Sequence, residues 1–489
     1  MTLTATPDAG SFFIGWSGAC VGTGTCTVTM NAEQRVVALF SATPAKTLTV
    51  NITADELDGD CLQPPAGDCS LRDAVVAANP GDTVDFAPSL NGQTIVLSLD
   101  QDSDSFPDFV RLNKSLTIQG PGADQLAISG GGVTGIFVTG AFPAGVNIDG
   151  LTLKDGGANT NYGGPAIFNG GLLTVNHCTL TANSDGAIHN WSANDVYIAN
   201  SLLSVNTGDY GGAIFSDGGI LNITRSTLSG NTATNFGGAI LSSSALTIDS
   251  STLSGNTAQY GGGIYNSSDG TGVVTLINST VSGNTATAGD GYGGGIFNEA
   301  GGLTTVINST ITRNEAATFG GGIKSDGSLS IGNSLVAGNT LTGDGEGQEI
   351  WVDVGNWNSQ GYNLIGQSGD AGMGGGATLA APDFTPAVSI DQIIDPLAAN
   401  GGPTQTHLLV TGGPAIDAGS NVLIPAGVTT DQRGAARIQG AGPNPQVDIG
   451  AVEGSSPLPG TVQSITRADA DPTSAASVVQ TEISGIAMA

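Results

Sequence analysis

Of the 489 residues, 77 are glycine and only 11% are charged, a balance unlike that of an ordinary helical enzyme, in a chain long enough for a sizeable core and two to four domains. Lys and Arg number 12 against 42 Asp and Glu, a formal net charge of -30, which repels nucleic acid and anionic membranes and favours solubility and divalent cations. Hydrophobic residues make up 39% but never run unbroken for the roughly 20 positions that a membrane-spanning helix needs.

The chain opens MTLTATPDAGSFF, with neither a charged n-region nor an apolar h-region, so no secretory signal is read there and the Met is expected to open a fragment. Five cysteines stand at 20, 26, 61, 69 and 178. The first four form two close pairs in turn-rich, polar surroundings, which fits two short-loop disulfides and an oxidising, extracellular compartment. A zinc site on the same four thiols is the alternative, against which the intervals miss the tight ligand knuckles and no histidine lies near.

Next comes DQDSDSFPD, which places Asp100, Asp102, Asp104 and Asp108 at positions 1, 3, 5 and 9 of a calcium-loop pattern. Position 6 is Ser105 in place of glycine and position 12 is Arg111 in place of glutamate, so Ca²⁺ binding competes with a plain solvated acidic loop. From about residue 110 to 345 the chain repeats. The slot of the phrase STL holds Cys178, Ser201, Ser226, Ser251, Ser279, Ser309 and Ser334, and an asparagine register follows at Asn183, Asn206, Asn231, Asn256, Asn284, Asn314 and Asn339 with the same intervals. A period near 25 residues decides the architecture before any local reading.

Inside each unit, β-branched stretches such as ALTID, VVTLIN and LTTVIN alternate with period two and are separated by Gly, Asn, Asp and Ser. Three short strands and three turns per unit predict one coil of a right-handed parallel β-helix, an all-β solenoid whose coils stack about 4.8 Å apart. Stacking converts each slot into a column. Tyr210, Phe236, Tyr260, Tyr292 and Phe319 (with Tyr162 before them) make an aromatic ladder, Ile167 to Ile323 an aliphatic one, and Asn169, Asn190, Ser216, Ser242, Asn266, Asn298 and Ser325 a polar one able to hydrogen-bond along the stack. Pointing outward, the rings would form a platform for sugars or a partner protein; pointing inward they would be core, and the flanking glycines favour buried or turn-packed rings. Cys178 fills a Ser slot and reads as a packed thiol.

A parallel β-helix also suits polysaccharide lyases and hydrolases. A lyase needs a base beside cations or Ca²⁺-binding acids, and the basic residues of the clear rungs fall in different slots. A hydrolase needs two acids: Asp217, Glu299 and Asp326 share one slot, the last two on adjacent rungs about 5 Å apart, against the plainer reading of solvated turn carboxylates. His189, in DGAIHNW, marks the rung that breaks the aromatic-glycine phrase. It is a catalytic candidate, or a structural histidine. His407 reads as structural, and Asp417, Asp431, Asp448 and Glu453 beside Arg433 and Arg437 read as internal salt bridges.

Several stretches resemble known families. GGAIF with STLSGNTA resembles the GGAI repeats of polymorphic outer-membrane proteins. CSLRDAVVAAN (Cys69 to Asn79) resembles the CSLREA module of secreted β-helices, which implies a short amphipathic cap helix with Cys61 to Cys69 tying down its approach. DPLAANGGPTQTHLLVTGGPAIDAG, TDQRGAAR and VDIGAVE resemble the choice-of-anchor Q module. LTATPDAGSFFIGWSGACVGTGTCTVTM with VVALF resembles an internalin-type divergent repeat and implies a Cys20 to Cys26 bridge, while VQSITRADADPTSAASV resembles the first strands of a bacterial immunoglobulin-like domain. The resulting organisation is a divergent β repeat over 1–43, a cap and entry over 47–110, a pectate-lyase-like solenoid over 111–345, an anchor-like module over 346–455, and a linker with a truncated domain over 456–489. The resemblances imply one piece of a larger bacterial surface protein and name no ligand or reaction; with no convergence of charged groups in the rungs, the expectation is a secreted or surface-tethered, non-catalytic protein that binds a polysaccharide or cell-surface partner. The alternative is a polysaccharide lyase or glycoside hydrolase.

Overall fold

The computed structural model describes residues 1–28, 34–41, 44–59, 61, 67–99, 109–140, 145–157, 164–191, 194–267, 272–287, 289–354, 356–439 and 444–454. The calcium-loop residues Asp100, Asp102, Asp104 and Asp108, Tyr162, and the 456–489 segment lie outside them. The repeat stretches form a parallel β-helix, as the period requires. Each coil contributes one strand to each of three long parallel sheets, exemplified by Ile264–Asn266 in the first, Val273–Ile277 in the second and Thr280–Ser282 in the third. Among the described residues these sheets hold 11, 12 and 11 strands, and a fourth of six strands runs along the turn from Thr207–Tyr210 to Thr340–Leu341.

Parallel pairing extends beyond the expected 111–345. It begins where Thr47–Val50 pairs with Thr83–Phe86 and ends with Ile350–Val352 on Met373–Gly375. These outer coils keep the strand alternation but carry insertions in place of the repeated phrase, so only their backbone pairing identifies them. A short helix, Leu71–Ala77, stands at the N-terminal end against the first strands, with Ser70 as its N-cap and Leu71, Ala74 and Val75 buried. Its Arg72 is buried and ion-paired with Asp55 at 2.6 Å.

Period-two alternation sends Leu246, Ile248, Leu253 and Ile264 into one continuous apolar core. Polar columns share that interior. In the asparagine column each side-chain amide donates to the Oδ1 of its successor at 2.8–2.9 Å from Asn183 through Asn339. Asn256 shows the full pattern: its Oδ1 accepts the backbone and side-chain N–H groups of Asn231, and its Nδ2 donates to Leu228 O and Asn284 Oδ1. A second column runs from Cys178 to Ser334, each backbone N–H donating to the next serine Oγ. Cys178 is a buried free thiol, its pKa pushed up to about 12 mainly by burial, and so unreactive.

The glycine-rich phrase serves a corner. Gly261 has φ +64° and a Cβ there would lie 2.5 Å from Ile264 O, which only glycine avoids. The other two corners of a coil also use left-handed residues, for instance Ser250 at φ +51° and Gly255 at +63°.

The N-terminal module and the segment that runs up to residue 454 fold back onto the solenoid. In the N-terminal module Phe12–Gly18 pairs antiparallel with Val36–Ser41, and the Cys20–Cys26 disulfide closes it. It sits on the second sheet, where Arg35 N–H donates to Tyr197 Oη at 2.7 Å, Arg35 pairs with Asp195 at 3.2 Å and Thr174 Oγ1 donates to Gly18 O. Cys61–Cys69 is the second disulfide, which excludes the zinc alternative for these four thiols. The C-terminal segment covers the third sheet, with Gln432 bridging Thr252 and Thr280 and His407 Nε2 2.9 Å from Ser282 Oγ. There Arg433 pairs with Asp431 at 2.9 Å and Arg437 with Glu453 at 3.3 Å.

Removing one amide from the column strands buried donors and acceptors on both neighbours. Asn256→Ala should lower the unfolding free energy by about 3 kcal/mol, read as a reduced urea midpoint. The column ends on Glu349, fully buried, which accepts Asn339 Nδ2 at 2.6 Å and the N–H groups of Gly338 and Asn339. Burial, against these donors, pushes its pKa up to about 8. A folded pKa above the unfolded one means that the folded state holds the extra proton between pH 4.5 and 8, so this contribution to stability is lost as pH rises through that window. Glu349→Gln should flatten the decline in urea midpoint between pH 6.5 and 8.

Candidate functional site

With chain ends laid on the second and third sheets, the first sheet and its adjoining corner carry a second layer built from side chains. The corner ladder stacks ring on ring: Tyr210 to Phe236 at 5.9 Å, Phe236 to Tyr260 at 5.6 Å, Tyr260 to Tyr292 at 5.5 Å, Tyr292 to Phe319 at 5.7 Å and Phe319 to Trp351 at 5.3 Å between centroids. The rings are outside the core and partly exposed, Tyr210 most at 49%. Burial inside the solenoid, one of the two orientations considered, is therefore corrected. Glycine at the corner lets the backbone turn sharply, and the ring before it is left leaning on the next coil's ring.

Beneath the ladder lies a column that the sequence reading passed over. The residue directly after each inward isoleucine points outward, and register places Phe168, His189, Phe215, Leu241, Tyr265, Phe297, Lys324 and Trp351 in line. Leu241, Tyr265 and Phe297 are buried under Phe236, Tyr260 and Tyr292. Each such ring pair contributes about 0.5–1.5 kcal/mol beyond its buried area. The available signal was the inward isoleucine itself, because a strand must aim the next side chain the other way.

Asp217, Glu299 and Asp326 line the far side of this column, as their shared slot requires. Asp217 and Glu299 are three rungs apart, about 14 Å at strand spacing, whereas Glu299 and Asp326 are on adjacent rungs. His189 lies one rung before Asp217. The four candidates thus form two neighbouring pairs along a line, with no point at which all four meet. Asp326 is ion-paired with Lys324, whose side chain is only 6% exposed and whose Nζ lies 4.0 Å from the Trp351 ring centre and 5.7 Å from those of Tyr292 and Phe297. Ser267 Oγ donates to Glu299 at 3.4 Å.

His189 packs among Phe168, Trp191 and Phe215, with ring centres 5.2, 5.5 and 4.7 Å away. Burial drives its pKa down to about 4 against the pull of Asp217, so the imidazole is neutral at pH 7, and its Nε2 is buried without a hydrogen bond. Between the two layers opens a groove of about 420 Å³, lined by rings of both columns together with Asp217, Ser243, Ser267 and Glu299.

For a metal, the described residues bring together one carboxylate group of three, Glu56, Asp58 and Asp68, with ligand atoms within 4.8 Å of one another near the cap helix. Desolvation first, then Asp58, Asp68 and Asp73, push the Glu56 pKa up. No such group is found on the aromatic face among the described residues.

Residues 1–44 match the divergent InlB B-repeat domain family. No curated protein sequence matches the chain. Among solved structures, the pectate lyase Pel9A is 17% identical with a TM-score of 0.50, over 84% of this chain and 96% of that one. The A-module of the mannuronan C-5 epimerase AlgE6 from Azotobacter vinelandii is 15% identical with a TM-score of 0.34, over 69% and 96%. The likeness to Pel9A defines the class, an all-β solenoid of the pectate-lyase type, to which an InlB-type repeat is joined. No helix among the described residues is long and apolar enough to cross a membrane.

Replacing His189 by phenylalanine would continue the ring column and remove the unpartnered nitrogen. His189→Phe should raise stability at pH 7 by about 1 kcal/mol. Because the folded pKa of His189 lies below the unfolded value, its wild-type contribution is lost as pH falls from 6.5 towards 4, and the variant should lose less over that range in urea titrations.

Proposed function

We propose that this is a secreted or surface-tethered bacterial β-helix protein that holds a polysaccharide along its aromatic face without transforming it. The observation that carries this reading is the unbroken ladder of partly exposed rings from Tyr210 to Trp351. A row of rings at near-constant spacing, stacked on one another and presenting their edges, meets a repeating polymer with the same apolar contact on every coil. The two disulfides and the InlB-type repeat support an extracellular setting. The GGAI-like coils, the CSLREA-like cap and the anchor-like C-terminal segment agree with one piece of a larger surface protein.

A second reading follows from the fold shared with Pel9A: a lyase or hydrolase working on the same face. Its acids would be Glu299 and Asp326, with His189 and Asp217 as the other pair. The pairing of Asp326 with a covered Lys324 speaks against it, since it occupies the carboxylate and leaves the one lysine of that stretch badly placed as a base. Calcium, if held by the described residues, would go to Glu56, Asp58 and Asp68, away from the aromatic face; the Asp100 to Asp108 stretch is the sequence's other candidate.

Two measurements separate the readings. Affinity electrophoresis in gels containing neutral and charged polysaccharides should show retardation that weakens about tenfold, or about 1.4 kcal/mol, in each of Phe236→Ala and Tyr260→Ala. Incubation with the same polymers should release neither reducing ends nor unsaturated products. Products that disappear in Asp326→Ala would establish the enzyme reading in its place.

A further inference from the structure

The aromatic groove also carries a charge, and this sets which polymer it can take. Asp217 is exposed at its edge and Glu299 lines it. Asp209, also exposed, adjoins Tyr210. The cations of the outward column are Arg111 and Lys324, near its opposite ends. Lys324 is covered by rings and neutralised by Asp326, and His189 is uncharged at pH 7. The face is therefore aromatic and anionic, on a protein whose net charge is -30. A uronate polymer would bring one carboxylate per sugar into that field and be repelled.

Resting on the polysaccharide-binding reading above, we infer that the groove bounded by Tyr210, Phe236, Tyr265, Asp217 and Glu299 selects a cationic amino-sugar polymer lying along the solenoid axis. The rings recur once per coil, about 4.8 Å along the axis, close to the length of one pyranose unit in an extended chain, so successive sugars meet successive rings. An ammonium on such a sugar is drawn to the acidic flank of the groove, where the Asp217 and Glu299 carboxylates stand some three rungs apart, so that a chain of four or more units reaches both. On the other flank the rings, stacked on one another, offer apolar edge contacts to the sugar. An N-acetylated sugar keeps the ring contact and loses the charge term, and a uronate reverses it.

The test is calorimetric titration of the whole chain with three oligosaccharides of equal length: β-1,4-linked glucosamine, its fully N-acetylated form, and oligogalacturonate. The glucosamine oligomer should bind at least about tenfold tighter than the acetylated one, lose affinity as salt rises, and weaken in both Asp217→Asn and Glu299→Gln. Oligogalacturonate should not bind. A double variant at distant acids, Asp8→Asn with Asp124→Asn, should leave the affinity unchanged. Equal loss in that variant would show attraction to net charge alone and overturn the assignment. Equal affinity for the acetylated oligomer, with no effect of Asp217→Asn or Glu299→Gln, would overturn the amino-sugar assignment and leave the glycan reading standing. If none of the three binds and Phe236→Ala changes nothing, the glycan reading falls as well.

Discussion

Everything else in this molecule depends on a buried amide bonding to its own counterpart one coil away. At the asparagine corner the backbone turns too tightly to satisfy its own peptide groups, and the side-chain amide supplies what is missing: an acceptor for the preceding coil, a donor for the following one, and a donor to a carbonyl. The unit is complete only when stacked. A coil slipped by one residue would carry the amide out of the core and an aliphatic chain into its place, so the column fixes register as firmly as the apolar core does. The stack must also end, and it ends on carboxyl groups, Glu349 closing the asparagine column and Asp383 closing the serine column through Asn363.

Fixed register is what makes a face. Side chains separated by some 25 residues in the chain become neighbours, and a modest preference at one slot is multiplied into a continuous surface. Two of the three outer surfaces are consumed by the molecule itself: the second sheet receives the InlB-type repeat and the third receives the C-terminal segment, held by Gln432, Thr404 and His407. What is left is a long surface of rings and acids repeated along one axis.

Much of this was legible in advance, and the parts that were not share a cause. The two registers from Cys178 to Ser334 and Asn183 to Asn339 identified coil length, and the polar ladder from Asn169 to Ser325 was read as hydrogen-bonding along the stack, as Asn169 does to Asn190 and Asn266 to Asn298. The outward column beginning at Phe168 was not read, because its members are Phe, His, Phe, Leu, Tyr, Phe, Lys and Trp. No residue type recurs strictly enough to announce a slot, and only the pairing of strands shows that they align. The coils before residue 110 and after 345 were missed for a related reason, since they pair as well as the others but do not repeat the phrase. Of the acidic slot, the adjacency of Glu299 and Asp326 followed from spacing. That Asp326 is bound by Lys324, and that Lys324 is roofed by Trp351, depends on a residue of the next coil.

The sequence by itself determined the solenoid, its period and its inward isoleucine ladder, because these follow from repetition and from local backbone geometry, and it favoured two short-loop disulfides without closing the zinc alternative. Tertiary structure alone decided which way the aromatic ladder faces, which outer surfaces the chain's own ends occupy, and whether the acids are available or already paired. Those are relations between side chains on different coils, and they exist only after the hydrogen-bonded stack has set the distance and the direction between one coil and the next.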